Sequence, residues 1–330
     1  MRKIISLLLL LFSLYAKENS YEMGNGVQIF SLPLYLGGYF SLEYRNIGNE
    51  NLYKIDDLAL LGYGSYEKIS YMAELEYTGL YSYTRKGDDS HTQTNTNLHA
   101  ERLYFDYNFD ENYNLRIGKY NSNIGFWNLL PINVLRQTTS SPISTEIIFP
   151  KFTSGIEAFY TSFNDYEIAV NLMLQHNKDI DDKYNNYKID THYGLGIEYE
   201  KDDYAIKLNG GYFHRVKSYI SNKKLYYFLL STKYDSDKYQ FISEIGSQQS
   251  SKKCTTPYAG YIQGVYRFTQ QHIGIIRVES YKNEVENKSD NIAIFAYTYR
   301  PIYPIALKSE YQFHSLYRDN RALFSISALF

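Results

Sequence analysis

The chain has 330 residues, a formal net charge of −2, one cysteine and 38 tyrosines. That balance argues against nucleic-acid binding, and the lone Cys254 excludes an internal disulfide framework and reads as a free loop thiol. After the first residues no apolar run reaches the ~18 residues a membrane helix needs, yet aromatics make up 17% of the chain and mean hydropathy is negative. A soluble domain of this size would carry a denser Leu/Ile/Val core. A sheet with lipid on one face and water on the other accounts for the mixture.

The N-terminus reads MRKIISLLLLLFSLYA. Arg2 and Lys3 form a charged start, Ile4 to Leu14 a short apolar run, and Ala16 a small residue at the expected cut. Residues 1–16 therefore read as a secretory signal peptide, too short for a membrane helix. Removing them takes away Arg2 and Lys3, so the balance moves from −2 to −4. Residues 17–33 are expected as an N-terminal periplasmic segment, and 34–330 as a transmembrane antiparallel β-barrel.

Period-two alternation dominates from there. Ile168, Val170, Leu172 and Leu174 alternate with Glu167, Ala169, Asn171 and Met173. Tyr193, Leu195, Ile197 and Tyr199 alternate with Gly194, Gly196, Glu198 and Glu200. A helix, whose faces repeat every ~3.6 residues, cannot use that pattern. The pattern predicts sixteen strands, at 34–44, 54–65, 69–82, 97–108, 113–122, 153–161, 166–175, 191–200, 204–215, 224–234, 238–247, 257–268, 271–281, 291–299, 304–315 and 320–330.

Even-numbered strands are followed by tight turns such as Asn164-Asp165 and Asp235-Ser236-Asp237, built from turn-forming residues. Odd-numbered strands are mostly followed by longer polar links, including 83–96, 176–190, 216–223, 248–256 and 282–290. Short turns on one rim and long loops on the other are the habit of transmembrane barrels. An even count places both termini on the short-turn, periplasmic side. Phe163 and Tyr166, Tyr199 and Tyr204, and Tyr234 and Tyr239 bracket three short turns. They read as an interfacial aromatic girdle.

The longest link, 122–152, is too apolar for an exposed loop. Trp127, Leu129, Leu130, Ile132, Val134 and Leu135 are expected against the inner wall, with a short helix over 128–137 and Pro131 in its first turn. The segments RIGKYNSNIGFWN (116–128) and PKFTSGIEAFY (150–160) flank it. Over these roughly forty residues the chain resembles the outer-membrane porins related to the phosphate- and pyrophosphate-selective channels. Those porins carry a similar arginine–glycine–basic segment followed by glycine, an aromatic and asparagine. The resemblance implies that the third extracellular loop folds into the lumen and narrows it. It also implies passive diffusion of small solutes or ions, with a homotrimer as a common assembly. The final strand, RALFSISALF, ends on Phe330 and resembles the C-terminal signal read by the barrel assembly machinery.

The alternation places Arg102, Arg116, Lys207, Arg277 and Lys308 inward, together with Glu74, Glu76, Asp106, Glu167, Glu198, Glu244, Glu279 and Glu310. Arg136, Glu146 and Lys151 are the charged candidates for a constriction within the long loop. The expected pore-lining set is thus Arg102, Asp106, Arg116, Arg136, Glu146, Lys151, Glu198 and Lys207. Mixed signs give a transverse field rather than the basic ladder that phosphate selectivity needs. The histidines at 91, 99, 176, 192, 214, 272 and 314 show no metal-ligand spacing, and no phosphate loop or nucleophile elbow occurs, so no cofactor, metal or enzymatic activity is expected. The Asn-rich tract 179–186 reads as a solvated extracellular loop. Two other functions stay open: a channel specific for an anion or small organic solute, and a surface adhesion barrel with a plugged lumen.

Overall fold

The computed structural model describes residues 23–330 except 184, 217–223, 252–253 and 317–319. The expected signal segment, 1–16, lies outside the described residues. Eighteen strands are present among the described residues. Two are appendages: β1 (Val27–Gln28), which pairs with the start of β2, and β5 (Asp89–Thr94), which pairs with the end of β4. The other sixteen form one closed antiparallel barrel. They are β2 (Tyr35–Ile47), β3 (Glu50–Tyr66), β4 (Ile69–Lys86), β6 (Leu98–Asn108), β7 (Tyr113–Asn121), β8 (Phe152–Phe163), β9 (Glu167–Gln175) and β10 (Ile189–Lys201). They continue with β11 (Tyr204–Arg215), β12 (Lys224–Asp235), β13 (Tyr239–Ser250), β14 (Cys254–Arg267), β15 (His272–Asn283), β16 (Lys288–Tyr299), β17 (Ile305–His314) and β18 (Arg321–Leu329).

Each of the sixteen predicted strands is found. The ring closes where β18 pairs with β2, from Arg321↔Ile47 to Leu329↔Tyr39. Gly38 and Phe330 extend the seam with reciprocal backbone hydrogen bonds of 2.8 Å. Closure leaves no free sheet edge, which a bilayer without hydrogen-bonding solvent demands.

The two faces separate as the alternation requires. Leu195, Ile197, Ile206 and Leu208 stand exposed on the outside, whereas their neighbours Gly196 and Lys207 are buried within. An outer surface this rich in bare Leu, Ile and Phe is stable only against an apolar medium. At the short-turn rim the aromatics form cross-strand pairs. Tyr166 lies 5.6 Å from Tyr199 and Tyr204 4.7 Å from Tyr234, centroid to centroid.

Three details differ from the sequence reading. The strands run further at the long-loop rim. Residues 45–53 were expected as a link, but β2 and β3 meet through Gly48-Asn49, with Gly48 at φ 55°. Residues 83–96 form a hairpin rather than a loop, turned at Gly87 (φ 60°). The helix expected over 128–137 is replaced by two 3₁₀ turns, Trp127–Leu129 and Asn133–Leu135, and a short α-helix forms later, at Ile143–Ile147. Pro131 explains the break. Its ring keeps Leu130 out of the helical region, at φ −109° and ψ 70°.

Candidate functional site

Residues 122–151 join β7 to β8 and make side-chain and backbone contacts to inward-facing groups on distant strands. Phe126, Trp127, Ala205, Ile242 and Tyr261 form one buried cluster. Ile132 and Val134 join Tyr39, Ala59, Leu61, Ala306 and Leu329 in another. Ile124, Ile148 and Phe149 join a third, with Met173, Phe213 and Leu229. Trp127, Ile132 and Val134 are thus buried as expected, Leu130 and Leu135 are half-buried, and Leu129 is exposed.

Polar groups fix the same segment. The Glu244 carboxylate accepts the amides of Phe126 and Trp127, Glu310 those of Thr139 and Ser140, and Glu279 that of Ile143. Lys308 Nζ donates to the carbonyl oxygens of Asn133 and Thr138, and Arg277 to Thr138 Oγ1, at 2.7 Å, and the Ser140 carbonyl. These strand charges are consumed as anchors. Their burial is tolerable because each finds a charged or hydrogen-bonding partner.

The eight residues singled out in the sequence occur mostly as pairs with acids or bases nearby. Arg116 grips Asp106 with bonds of 2.7 and 3.0 Å, and its guanidinium lies 4.2 Å from the Tyr104 ring centroid. Lys207 sits 3.1 Å from Glu198 and 2.5 Å from Asn123 Oδ1. Arg102 pairs with Glu74, and Lys151 with Glu146. Arg136 donates to the Leu130 carbonyl at 2.6 Å and to Ser141 Oγ. Only Arg136, Glu146 and Lys151 of this set line a cavity of about 460 Å³ between the 122–151 segment and the β2–β6 wall.

Glu76, expected inward, lines it too, but most of the other charged lining was missed. Glu43, Arg45, Lys54, Asp56, Asp57 and Glu101 face it from the wall beside Glu76. Two β-bulges account for part of the omission, at Asp56-Asp57 and Glu101. Asp56 is the extra residue where Ser41 pairs with Asp57 and Leu42 with Ile55. Glu101 is the extra residue where Glu74 pairs with Arg102 and Leu75 with Ala100. A bulge lets two successive side chains point to the same face, against strict alternation. A signal did exist: Asp56-Asp57 and Glu101-Arg102 are adjacent charges inside strands, and neither member can face lipid without a large cost.

Around Tyr39 the wall is densely acidic. Its hydroxyl lies 2.6 Å from Glu74, 3.0 Å from Glu76 and 3.3 Å from Glu101 oxygens. The three carboxylates lie within 4.8 Å of one another. Arg102 neutralises Glu74. The pairs Arg45–Glu43 and Lys54–Asp56 occupy the adjoining wall.

The Asn-rich tract 179–186 is solvated in part, at 180, 182 and 183, but its end is tied to the 122–152 segment. Asn186 Nδ2 donates to the carbonyls of Glu146 (3.0 Å) and Phe149 (2.9 Å), while its Oδ1 accepts the Lys151 amide at 3.0 Å. Asn185 bonds the Phe152 carbonyl, and the Tyr187 hydroxyl the Ile147 carbonyl. Burial raises the Asp179 carboxyl above its ordinary range, against the pull of Asn185 and Gln175. At Asp181 burial is outweighed by the Lys183 amide, His99 and Lys119, which hold its carboxyl low. Burial pushes the Tyr187 phenol up to about 12.

No family model and no curated protein matches the chain in sequence. Solved structures match it in fold. The chain resembles OmpF of Salmonella typhi, in a complex with daunomycin, with a TM-score of 0.60 at 11% identity, over 92% of this chain and 100% of that one. It resembles the outer membrane channel DcaP of Acinetobacter baumannii with a TM-score of 0.59 at 12% identity, over 93% and 100%. It resembles an anion-selective porin from Comamonas acidovorans with a TM-score of 0.58 at 10% identity, over 90% and 99%. The fold is a porin-type barrel.

Proposed function

We propose that this protein is an outer-membrane porin that passes small hydrophilic solutes or ions by passive diffusion. The observation that carries the reading is the closed sixteen-stranded ring with an apolar exterior and a charged interior. Eight strands can fill a barrel with side chains, but about sixteen leave room for water. The 122–152 segment acts as the constriction, a role supported by its bonds to Glu244, Glu279 and Glu310. Arg136, Glu146 and Lys151 line the passage at that level, and Arg102, Asp106, Arg116, Glu198 and Lys207 are wall residues that set the lumen field through their ion pairs.

The signal peptide 1–16, the periplasmic placement of 17–33 and of both termini, insertion through the assembly machinery by way of Phe330, and a homotrimer all belong to this reading. Kinship with the phosphate- and pyrophosphate-selective porins rests on 116–128 and 150–160. Phosphate selectivity does not follow from it, since acids outnumber bases around the cavity. Passage through a pore needs no catalytic group. Purified protein reconstituted in a planar bilayer is expected to give stepwise conductance that rises linearly with salt. Folded protein that never conducts overturns the reading, and saturation by one solute would replace it with a specific channel.

A further inference from the structure

We propose that the pore prefers cations, and that Asp57, Glu76 and Glu101 on the barrel wall set this preference. The inference rests on the porin reading and names its solute class.

Two independent observations point the same way. First, the long loop takes three strand cations out of water. Lys207, Arg277 and Lys308 are at most 4% exposed, and each donates to 122–151 groups: Asn123, Ser140 and Asn133 respectively. None of the three lines the open cavity. The loop buries three acids as well, Glu244, Glu279 and Glu310, but the strands it leaves uncovered line the cavity with five acids, Glu43, Asp56, Asp57, Glu76 and Glu101, against two bases, Arg45 and Lys54.

Second, the charges around that cavity do not cancel. Arg45 and Lys54 are spent on Glu43 and Asp56, and Lys151 on Glu146. Asp57, Glu76 and Glu101 make no salt bridge among the described residues, and a single base without an acid partner, Arg136, faces them. Glu76 Oε1 is buried at the cavity wall, and the Glu76 carboxyl meets those of Asp57 and Glu101 there. Three carboxyls against one guanidinium leave the aperture negative even when two neighbouring carboxyls share a proton. In a narrow, partly dehydrated passage such an excess raises cation occupancy and repels anions.

The test is the reversal potential of the reconstituted full chain in a KCl gradient. Wild type is expected to pass K⁺ in preference to Cl⁻ by roughly threefold or more, as rings of acids do in cation channels. The D57N/E76Q/E101Q variant should bring the ratio to one or below, and R136Q should raise it above wild type. The single D57N and R136Q variants serve if the triple variant fails to fold, judged by its heat-dependent gel mobility. A wild-type ratio at or below one overturns the inference while leaving the porin reading intact. So does a folded triple variant, or a D57N variant, with the wild-type ratio. A wild type without conductance overturns both.

Discussion

One carboxylate oxygen, Glu244 Oε1, receives the backbone N–H of Trp127 at 3.1 Å and also that of Phe126 at 2.5 Å, although β13 and this loop lie more than a hundred residues apart in the chain. Gly125 makes the approach possible. Its φ is +66°, and a Cβ there would stand 2.6 Å from the same oxygen. Replacing Glu244 with Ala leaves two buried amides unpaired, at a cost of about 1–3 kcal/mol each. The barrel should persist while the loop loosens. Single-channel recordings of E244A are expected to show larger and noisier conductance, and amides 122–130 should exchange faster. An unchanged trace would mean that the anchor does not hold the aperture.

Asn186 predicts a second route to the same end. Its amide bridges the carbonyls of Glu146 and Phe149 and the Lys151 amide, so it clamps the loop's return to β8. N186A removes three neutral hydrogen bonds, each worth about 0.5–1.5 kcal/mol net. Conductance fluctuations should increase in N186A, with little change in the temperature at which the barrel unfolds. Gel mobility after stepwise heating separates the two effects.

Arg277 is fully buried, 2.8 Å from Glu279, and donates to Thr138 and Ser140. R277M strands a buried carboxylate and is expected to destabilise the protein by about 3–5 kcal/mol. The E279Q change made in that background should recover part of the loss. Chemical denaturation of the four combinations in detergent measures the coupling, and strict additivity would show that the pair acts only as two separate anchors.

The rim aromatics carry a stability prediction. Tyr204 and Tyr234 pair across β11 and β12 with centroids 4.7 Å apart. Y204A should cost about 0.5–1.5 kcal/mol from the ring pair, and more in a bilayer than in detergent if the ring sits at the headgroups. Equal losses in both media would assign the pair to sheet packing alone.

The barrel was legible because lipid enforces alternation. Leu195 and Ile197 cannot exchange faces with Gly196 and Glu198 without exposing charge to an apolar medium. Turn residues such as Asn164-Asp165 then fixed where the chain reverses. The lining of the cavity was only partly legible. Arg136, Glu146 and Lys151 were found because they sit on the long loop, but Asp57 and Glu101 depend on bulges that break the period-two rule. The Asn185-Asn186 clamp was hidden for another reason: its partners, including Phe149 and Phe152, are more than thirty residues away, and backbone carbonyls leave no mark in a sequence. Pro131 did carry its message, since it forbids the helix expected over 128–137.

The bulges at Asp56 and Glu101 also separate two properties that strict alternation would tie together. Because each adds one residue to a single strand without adding a strand, the number of charges bathed by the permeating solution can change while the hydrocarbon-facing coat and the circumference stay fixed. A selectivity set by these wall charges would therefore be adjustable by gain or loss of one residue, independently of how the cylinder sits in its membrane.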